Sequence, residues 1–380
     1  MEYWVWLTGI KGVGTQLQKR LLKHFQTPKA VYESDALDLR EVEGIGKNLA
    51  EEIMESRPLS HAHRILERAE MSRIQILTYD DERYPEDVRQ TKFAPTLLYY
   101  KGTLRKDSMG VAIVGARRCS QYGKEATIEA ATYLSEKGIP VISGMAKGID
   151  GYAHTAALKA GGYTLAFLGH GLNHCYPKEH QSLMEAIEEK GALLTVYPPD
   201  EKPMPMHFPD RNRLFVSWSK KVLVIEAGEK SGSLLTAHYA LEEGRPLFVL
   251  PHEIYDLKGK GGNKLLLDGA TVYLKAEQLT ENGGIEKVEG DGKEGVVGAV
   301  KLEQRKRSST KNSTVPLETE PVEPLPKDEQ KILKALKEDP LTIRQLENET
   351  GISYQRLLSK LFYMELEGKV YCRCGYYRRK

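Results

Sequence analysis

Cysteine is nearly absent from this chain. Four occur in 380 residues, at 119, 175, 372 and 374, and none of the spacings is that of a metal knuckle or a Cys-x-x-Cys redox pair. A disulfide scaffold is thereby excluded, and the usage leads us to expect a reduced, cytoplasmic protein. No cluster of His, Cys and Asp has metal spacing, so neither a metal nor a cofactor is expected. The chain lacks Gly-x-x-x-x-Gly-Lys-Ser/Thr, which argues against ATP held by a P-loop. It also lacks Gly-x-Ser-x-Gly, which argues against a nucleophile elbow. With no catalytic dyad either, the expectation is a protein that is not an enzyme. An excess of charge is missing too. Lys and Arg number 55 against 53 Asp and Glu, a formal net charge of +2, so contact with nucleic acid must come from a local patch. No apolar run approaches the roughly 20 residues of a membrane span, and the apolar start Met1–Trp6 has no basic flank of a signal peptide. No membrane partner is expected.

What the chain does have is clearest at Gly115-Ala-Arg117-Arg118-Cys-Ser120, directly after the apolar run Val111–Val114. A buried strand running into a glycine turn is how α/β folds offer backbone N–H groups to phosphate. This turn is not a dinucleotide fingerprint. Where that motif has small residues, it carries two arginines, and a guanidinium is a fixed fork of donors matched to phosphate. Two readings stand at this point: a grip on a phosphate chain, and a surface turn with solvated arginines.

Residues 1–70 predict a small helical domain. Ile10-Lys-Gly12-Val-Gly14 and Val42-Glu-Gly44-Ile-Gly46 show the alternating hydrophobic and Gly turn of a helix-hairpin-helix, each followed by an amphipathic stretch. Residues 71–108 predict an extended connector, because Pro85 and Pro95 forbid a long helix. Between 109 and 275, strand-length apolar runs at 111–114, 140–142, 164–168, 192–197, 222–225 and 246–250 alternate with helical patterns. That alternation predicts a mostly parallel sheet covered on both faces. Residues 276–326, dominated by Glu, Gly, Lys, Ser, Thr and Pro, predict a flexible linker. Residues 327–380 predict three helices, near 327–338, 342–349 and 353–366, followed by a hairpin. The expected fold class is α/β: a Rossmann-like, mostly parallel sheet with an N-terminal helix-hairpin-helix (SAM-like) domain and a C-terminal winged helix.

Ligands of such sheets bind outside the carboxyl ends of the strands. The candidate residues there are Gly115 and Arg117 after the first run, and Ser143, Gly144 and Lys147 after the second. Lys178 follows the Tyr176-Pro177 pair, and Arg211, Asn212 and Arg213 lie in Phe208-Pro-Asp-Arg-Asn-Arg213. Arg118 is left outside the set. Each residue alone has an ordinary structural role: a chain turn for the glycines, a solvated lysine, an Arg paired with Asp210, a packed helix residue for His154. Together they repeat Arg or Lys beside Gly or Ser along one rim. Neutralising successive phosphates is the sequence-independent way to hold a nucleic-acid strand. The alternative is a nucleotide-binding or nucleotide-hydrolysing enzyme using Glu226, although Ser231-Gly-Ser-Leu-Leu-Thr236 lacks the Pro-Gly-Gly-x-Gly-Thr-x-x-Glu pattern of phosphoribohydrolases. A second basic surface is expected in the winged helix. Lys369, Arg373, Arg378, Arg379 and Lys380 lie beside Tyr371, Tyr376 and Tyr377, with Arg356 and Lys360 on the preceding helix. This surface suits contact with duplex DNA or with a protein.

Several strings, taken in order, resemble the DprA (Smf) family of DNA-processing proteins. They are Val114-Gly-Ala-Arg117-Arg-Cys-Ser120, Ser143-Gly-Met-Ala-Lys-Gly-Ile-Asp150, Gly169-His-Gly-Leu172, Tyr176-Pro-Lys178, Phe208-Pro-Asp-Arg-Asn-Arg213 and Glu226-Ala-Gly-Glu-Lys-Ser-Gly-Ser-Leu-Leu-Thr-Ala237. The resemblance implies a Rossmann-like sheet that binds single-stranded DNA, a homodimer, and loading of the RecA recombinase during natural transformation. It implies DNA contact at Arg117 and Lys178, and less directly at Lys147, Arg211 and Arg213. His170, His180, Pro251-His252 and Phe215-Val-Ser-Trp218 depart from the family's usual residues.

Overall fold

In the computed structural model, residues 1–106, 108–280, 327–336, 340–366, 369–373 and 376–379 are described, and the chain divides into compact units 1–283 and 284–380. Most of the expected linker therefore falls outside the described residues.

The first unit opens with six helices: α1 (Glu2–Gly9), α2 (Thr15–Phe25), α3 (Pro28–Glu33), α4 (Ala36–Arg40), α5 (Lys47–Glu55) and α6 (Ser60–Met71). The expected glycine turns precede α2 and α5, with Gly12 and Gly44 at positive φ, where glycine alone is at ease. The segment expected as a connector instead joins the sheet. β1 (Gln75–Thr78) and β2 (Leu97–Gly102), with α7 (Glu86–Arg89) between them, form an antiparallel pair, because apolar Leu97–Tyr100 can bury itself in the sheet.

The alternating region gives β3 (Gly110–Val114), α8 (Gln121–Glu136), β4 (Val141–Ser143), α9 (Ile149–Lys159), β5 (Thr164–Phe167), α10 (Gln181–Lys190) and β6 (Ala192–Thr195). It continues through α11 (His207–Ser217), β7 (Ser219–Val224), α12 (Ser233–Glu242), β8 (Leu247–Val249), α13 (Lys260–Leu267) and β9 (Thr271–Val272). The nine strands lie in the order β1-β2-β6-β5-β4-β3-β7-β8-β9. All neighbours from β6 through β9 pair in parallel, and β2 pairs antiparallel to β6. The strand order reverses between β3 and β7, the switch point where sheets of this kind open a crevice. One face packs on α8 and α9 through Val111, Ile113, Ala130, Leu134 and Ile149. The same face, further along toward β6 and β2, shares a continuous core with the helical domain, in which Leu7, Leu21 and Ile53 join Leu97, Tyr99 and Leu193. A short turn, Ala276–Leu279, closes the unit, with Ala276 and Leu279 both buried.

The second unit contains α14 (Lys327–Ala335), β10 (Leu341–Thr342), α15 (Ile343–Thr350), α16 (Tyr354–Leu366), β11 (Val370–Arg373) and β12 (Tyr376–Arg379). Three helices and a hairpin make a winged helix, and β10 adds a third strand on β12. Its core is Ile332, Leu336, Leu346, Leu357, Leu361, Met364 and Val370. Among the described residues no helix is long and apolar enough to cross a membrane.

Candidate nucleic-acid interface

The carboxyl rim of β3, β4 and β5 meets the start of α11 at one ring, Phe208. The Arg117 guanidinium lies 5.9 Å from its centroid. The Tyr176 ring lies 5.5 Å from it at an interplanar angle of 41°. Tyr176 is 43% exposed and is followed by a cis Pro177 and the one-turn helix Lys178–His180. Arg117 and Lys178 are both exposed. Among the described residues neither has a carboxylate partner. Two solvated cations thus flank a partly open aromatic pair, and Gly169 leaves room for it: a Cβ there would come within 3.1 Å of the Phe208 ring.

The loop carrying Arg117 is braced from beneath. Ser120 caps α8 by accepting from the Gly123 N–H. Its own N–H and hydroxyl donate to Glu226 Oε2 at 2.8 and 2.9 Å. Glu226 is fully buried at the carboxyl end of β7, with Lys258 Nζ 3.9 Å from its other oxygen. From the β4 side, the Ile149 N–H donates to the Ala116 carbonyl at 3.2 Å. Gly148 presses against the Arg117 backbone at φ +76, where a Cβ would overlap the Ala116 and Arg117 carbonyls. Met145 holds a positive φ of 56, a conformation costly for a side chain of its size. Its carbonyl accepts from His180 Nδ1 at 3.0 Å, which ties the Lys178 turn to the same loop.

The other candidates turn inward. Arg211 is 5% exposed and donates to the carbonyls of Gly144 and Phe167. Its helical spacing from Phe215 puts both on the buried side of α11, with the guanidinium 5.6 Å from that ring. Arg213 is also buried, 4.8 Å from the Tyr239 ring and 3.1 Å from Asp210. The Asn212 amide donates to Thr236 Oγ1 at 3.0 Å. Ser143 is fully buried and donates to the Ile113 carbonyl at 2.7 Å. The Gly144 N–H is already given to Asp150 at 3.2 Å. Ser143, Arg211 and Arg213 are thus buried, the Gly144 N–H is committed and half-buried Asn212 is bonded to Thr236, so these five residues brace the rim from within. Lys147 is exposed but paired with Glu179. Phe208–Arg213, expected at the carboxyl rim after the fifth apolar run, lies inside α11.

Burial sets the ionisation of the groups beneath the rim. It raises the Asp150 carboxyl above the ordinary range, against the opposing field of Arg211. It pushes His154 down to about 3, so this histidine is neutral, with Nδ1 2.7 Å from Thr164 Oγ1. His170 is likewise lowered by burial and donates from Nδ1 to the Gly171 carbonyl. His154 therefore cannot act as a charge switch near neutrality. Phe208 and Tyr176 were not among the sequence candidates. The signal for them was present in the aromatic residue placed before each rim proline, Tyr176-Pro177 and Phe208-Pro209.

The family model for DNA recombination-mediator protein A matches residues 75–284, more than half of the chain. The chain belongs to this family, DprA/Smf. A SAM-like helix-hairpin-helix tandem matches 7–57, and the DprA winged helix domain matches 316–373. Protein Smf of Synechocystis is 34% identical over 381 residues, spanning 97% of this chain and 96% of that protein. DNA processing protein DprA of Streptococcus pneumoniae is 40% identical over 200 residues, 52% of this chain and 71% of that one. The X-ray structure of DprA from S. pneumoniae superposes with a TM-score of 0.66 at 31% identity, covering 74% of this chain and 98% of that one. The family's helical, sheet and winged-helix parts are all present here, in the same order as in the sequence expectation.

Proposed function

We propose that this member of the DprA/Smf family binds single-stranded DNA along the carboxyl rim of its sheet. Arg117 and Lys178 hold successive phosphates, and Phe208 with Tyr176 gives the bases a stacking platform. The observation that carries this reading is a partly exposed aromatic pair, with Arg117 5.9 Å from one ring and exposed Lys178 two residues after the other, neither cation having a carboxylate partner among the described residues. A duplex keeps its base faces stacked inside and has no use for such a platform. A single strand needs both parts. We propose further that the protein is a cytoplasmic homodimer that protects incoming DNA and delivers it to RecA during natural transformation. The apolar side chains Ile254, Tyr255, Leu257 and Leu267, in the segment between β8 and the edge strand β9, support self-association: all are more than 70% exposed. The enzyme alternative is less well supported, because Glu226 is buried and committed to Ser120, with no open face to a nucleotide.

Substituting Ala at Arg117 or Lys178 is expected to weaken oligo-dT binding about tenfold each, the worth of one charge-assisted contact. The salt dependence should flatten by about 0.7 per phosphate lost. Fluorescence anisotropy across a salt series, with a circular dichroism melt as the folding control, measures both. Parental affinity in the double variant at physiological salt would overturn the assignment. The same variant should lose stimulation of RecA filament formation on oligo-dT, and incubation with nucleoside monophosphates should release no free base.

A further inference from the structure

The winged helix carries a surface that differs from the helical face such domains usually present to a duplex. The cations of α16 are compensated within the unit. Arg356 pairs with Asp328 at 2.6 Å, and Lys360 lies 3.6 Å from Glu329, which also takes Lys369 at 2.8 Å. The hairpin is different. In the β11–β12 register, Tyr371 stands opposite Arg378 and Cys372 opposite Tyr377. Val370 is buried and Tyr377 packs on the core, which fixes the inner face. Alternation then sends Tyr371, Tyr376 and Arg378 outward, and both tyrosines are exposed, at 40% and 48%. Arg378 therefore sits between two rings, one across the strands and one two residues along. Arg379 falls on the other face, opposite Val370, but is also exposed, and neither strand contains an acidic residue. Among the described residues Arg378 and Arg379 have no carboxylate partner.

We propose that this outer face of the wing binds an unpaired nucleic-acid strand. Bases would stack on Tyr371 and Tyr376, and Arg378 between them would take a phosphate. The charge is of the right sign for a polyanion, and the flat pair of rings fits base faces that only an unpaired strand exposes. The site is independent of the sheet rim and is judged separately from it.

The test uses the full chain with Arg117→Ala and Lys178→Ala in place, so that the rim is silenced. Adding Tyr371→Ala or Tyr376→Ala should reduce the remaining oligo-dT affinity at least about fivefold per ring, whereas Tyr→Phe, which keeps the ring, should retain it. Irradiating an oligonucleotide carrying 5-iododeoxyuridine should place cross-links at Tyr371 or Tyr376 in parental and rim-silenced chains alike. Retained binding with both Tyr→Ala changes, together with no cross-link in residues 369–379, overturns the proposal. Stronger competition by a hairpin duplex or a poly-Glu peptide than by oligo-dT overturns it as well. Parental binding by the rim variant alone would instead count against the rim, while the cross-link position still judges the wing.

Discussion

Two arginines of this protein show how one side chain serves opposite ends. Arg117 is exposed over Phe208, and its worth lies in meeting a polyanion. Arg211 touches the same ring from beneath, at 5.8 Å, yet is buried and spent on the carbonyls of Gly144 and Phe167. Replacing Arg117 by Ala should leave stability nearly unchanged. Replacing Arg211 by Ala strands two buried carbonyls and removes the charge that opposes the desolvation of Asp150. That should cost about 3–5 kcal/mol in urea unfolding. The cost should depend on pH with a definite sign. The folded-state pKa of Asp150 is raised by burial, so its contribution is favourable when protonated and is lost as pH rises through that pKa. Without Arg211 the pKa rises further, and the penalty at pH 7 should exceed that at pH 4.5. Unfolding curves of parent and variant at both values check this; Arg211 also depresses His154 and His170, so its loss eases their protonation at low pH and adds to the same trend.

At the scale of elements, the rim is a set of loops that brace one another. Ser120 caps α8 and grips Glu226 at the end of β7, and Gly148 lets the β4 loop lie on the backbone of Arg117. Ser120→Ala should lose the cap and the carboxylate contact, about 1–2 kcal/mol of stability, and should weaken oligo-dT binding although Ser120 holds no phosphate in this reading. If it acts by placing Arg117, the two substitutions will be non-additive: Ser120→Ala should have little further effect on affinity once Arg117 is Ala. Additive losses would show a separate contact. The strands and the loops after them were legible, because continuous Val, Ile and Leu runs ending in glycine have few other meanings in a chain of this length. Direction was not legible. Ser143, Arg211 and Arg213 have the composition of a ligand-facing rim, and only packing shows that they face the core. The run from Phe208 to Arg213 suggested a place at the carboxyl rim because its polar residues mask a helix buried almost all round, as Leu214, Phe215 and Val216 show. The connector was missed as part of the sheet for a related reason. Its prolines, Pro85 and Pro95, both precede β2 and leave the strand intact between β1 and β6.

For the whole molecule, the open question of physics is the edge at β9. The last strand of this mostly parallel sheet is two residues long with both exposed, and on its outer side only the Gln278 amide, donating to the Val272 carbonyl at 3.0 Å, stands in for a further strand. The segment before it shows Tyr255 at 87% and Leu267 at 88% exposure. Monomers rarely leave such side chains together in water. A second copy related by a two-fold axis would cover both at once, because a two-fold interface is self-complementary. It would also set two rims on one particle, each with its own Arg117 and Lys178. Leu267→Arg places a charge in that face and touches no residue of the rim, so the fold and the single-site affinity should survive. Light scattering after gel filtration should move from the dimer mass to the monomer mass. Affinity for an oligonucleotide long enough to reach both rims should fall by ten- to a hundredfold, the loss of avidity expected when the second site is no longer tethered. Affinity for one that fills a single rim should stay within about twofold. An unchanged mass, or an equal fall for short and long strands, would show that the β9 edge does not join two copies.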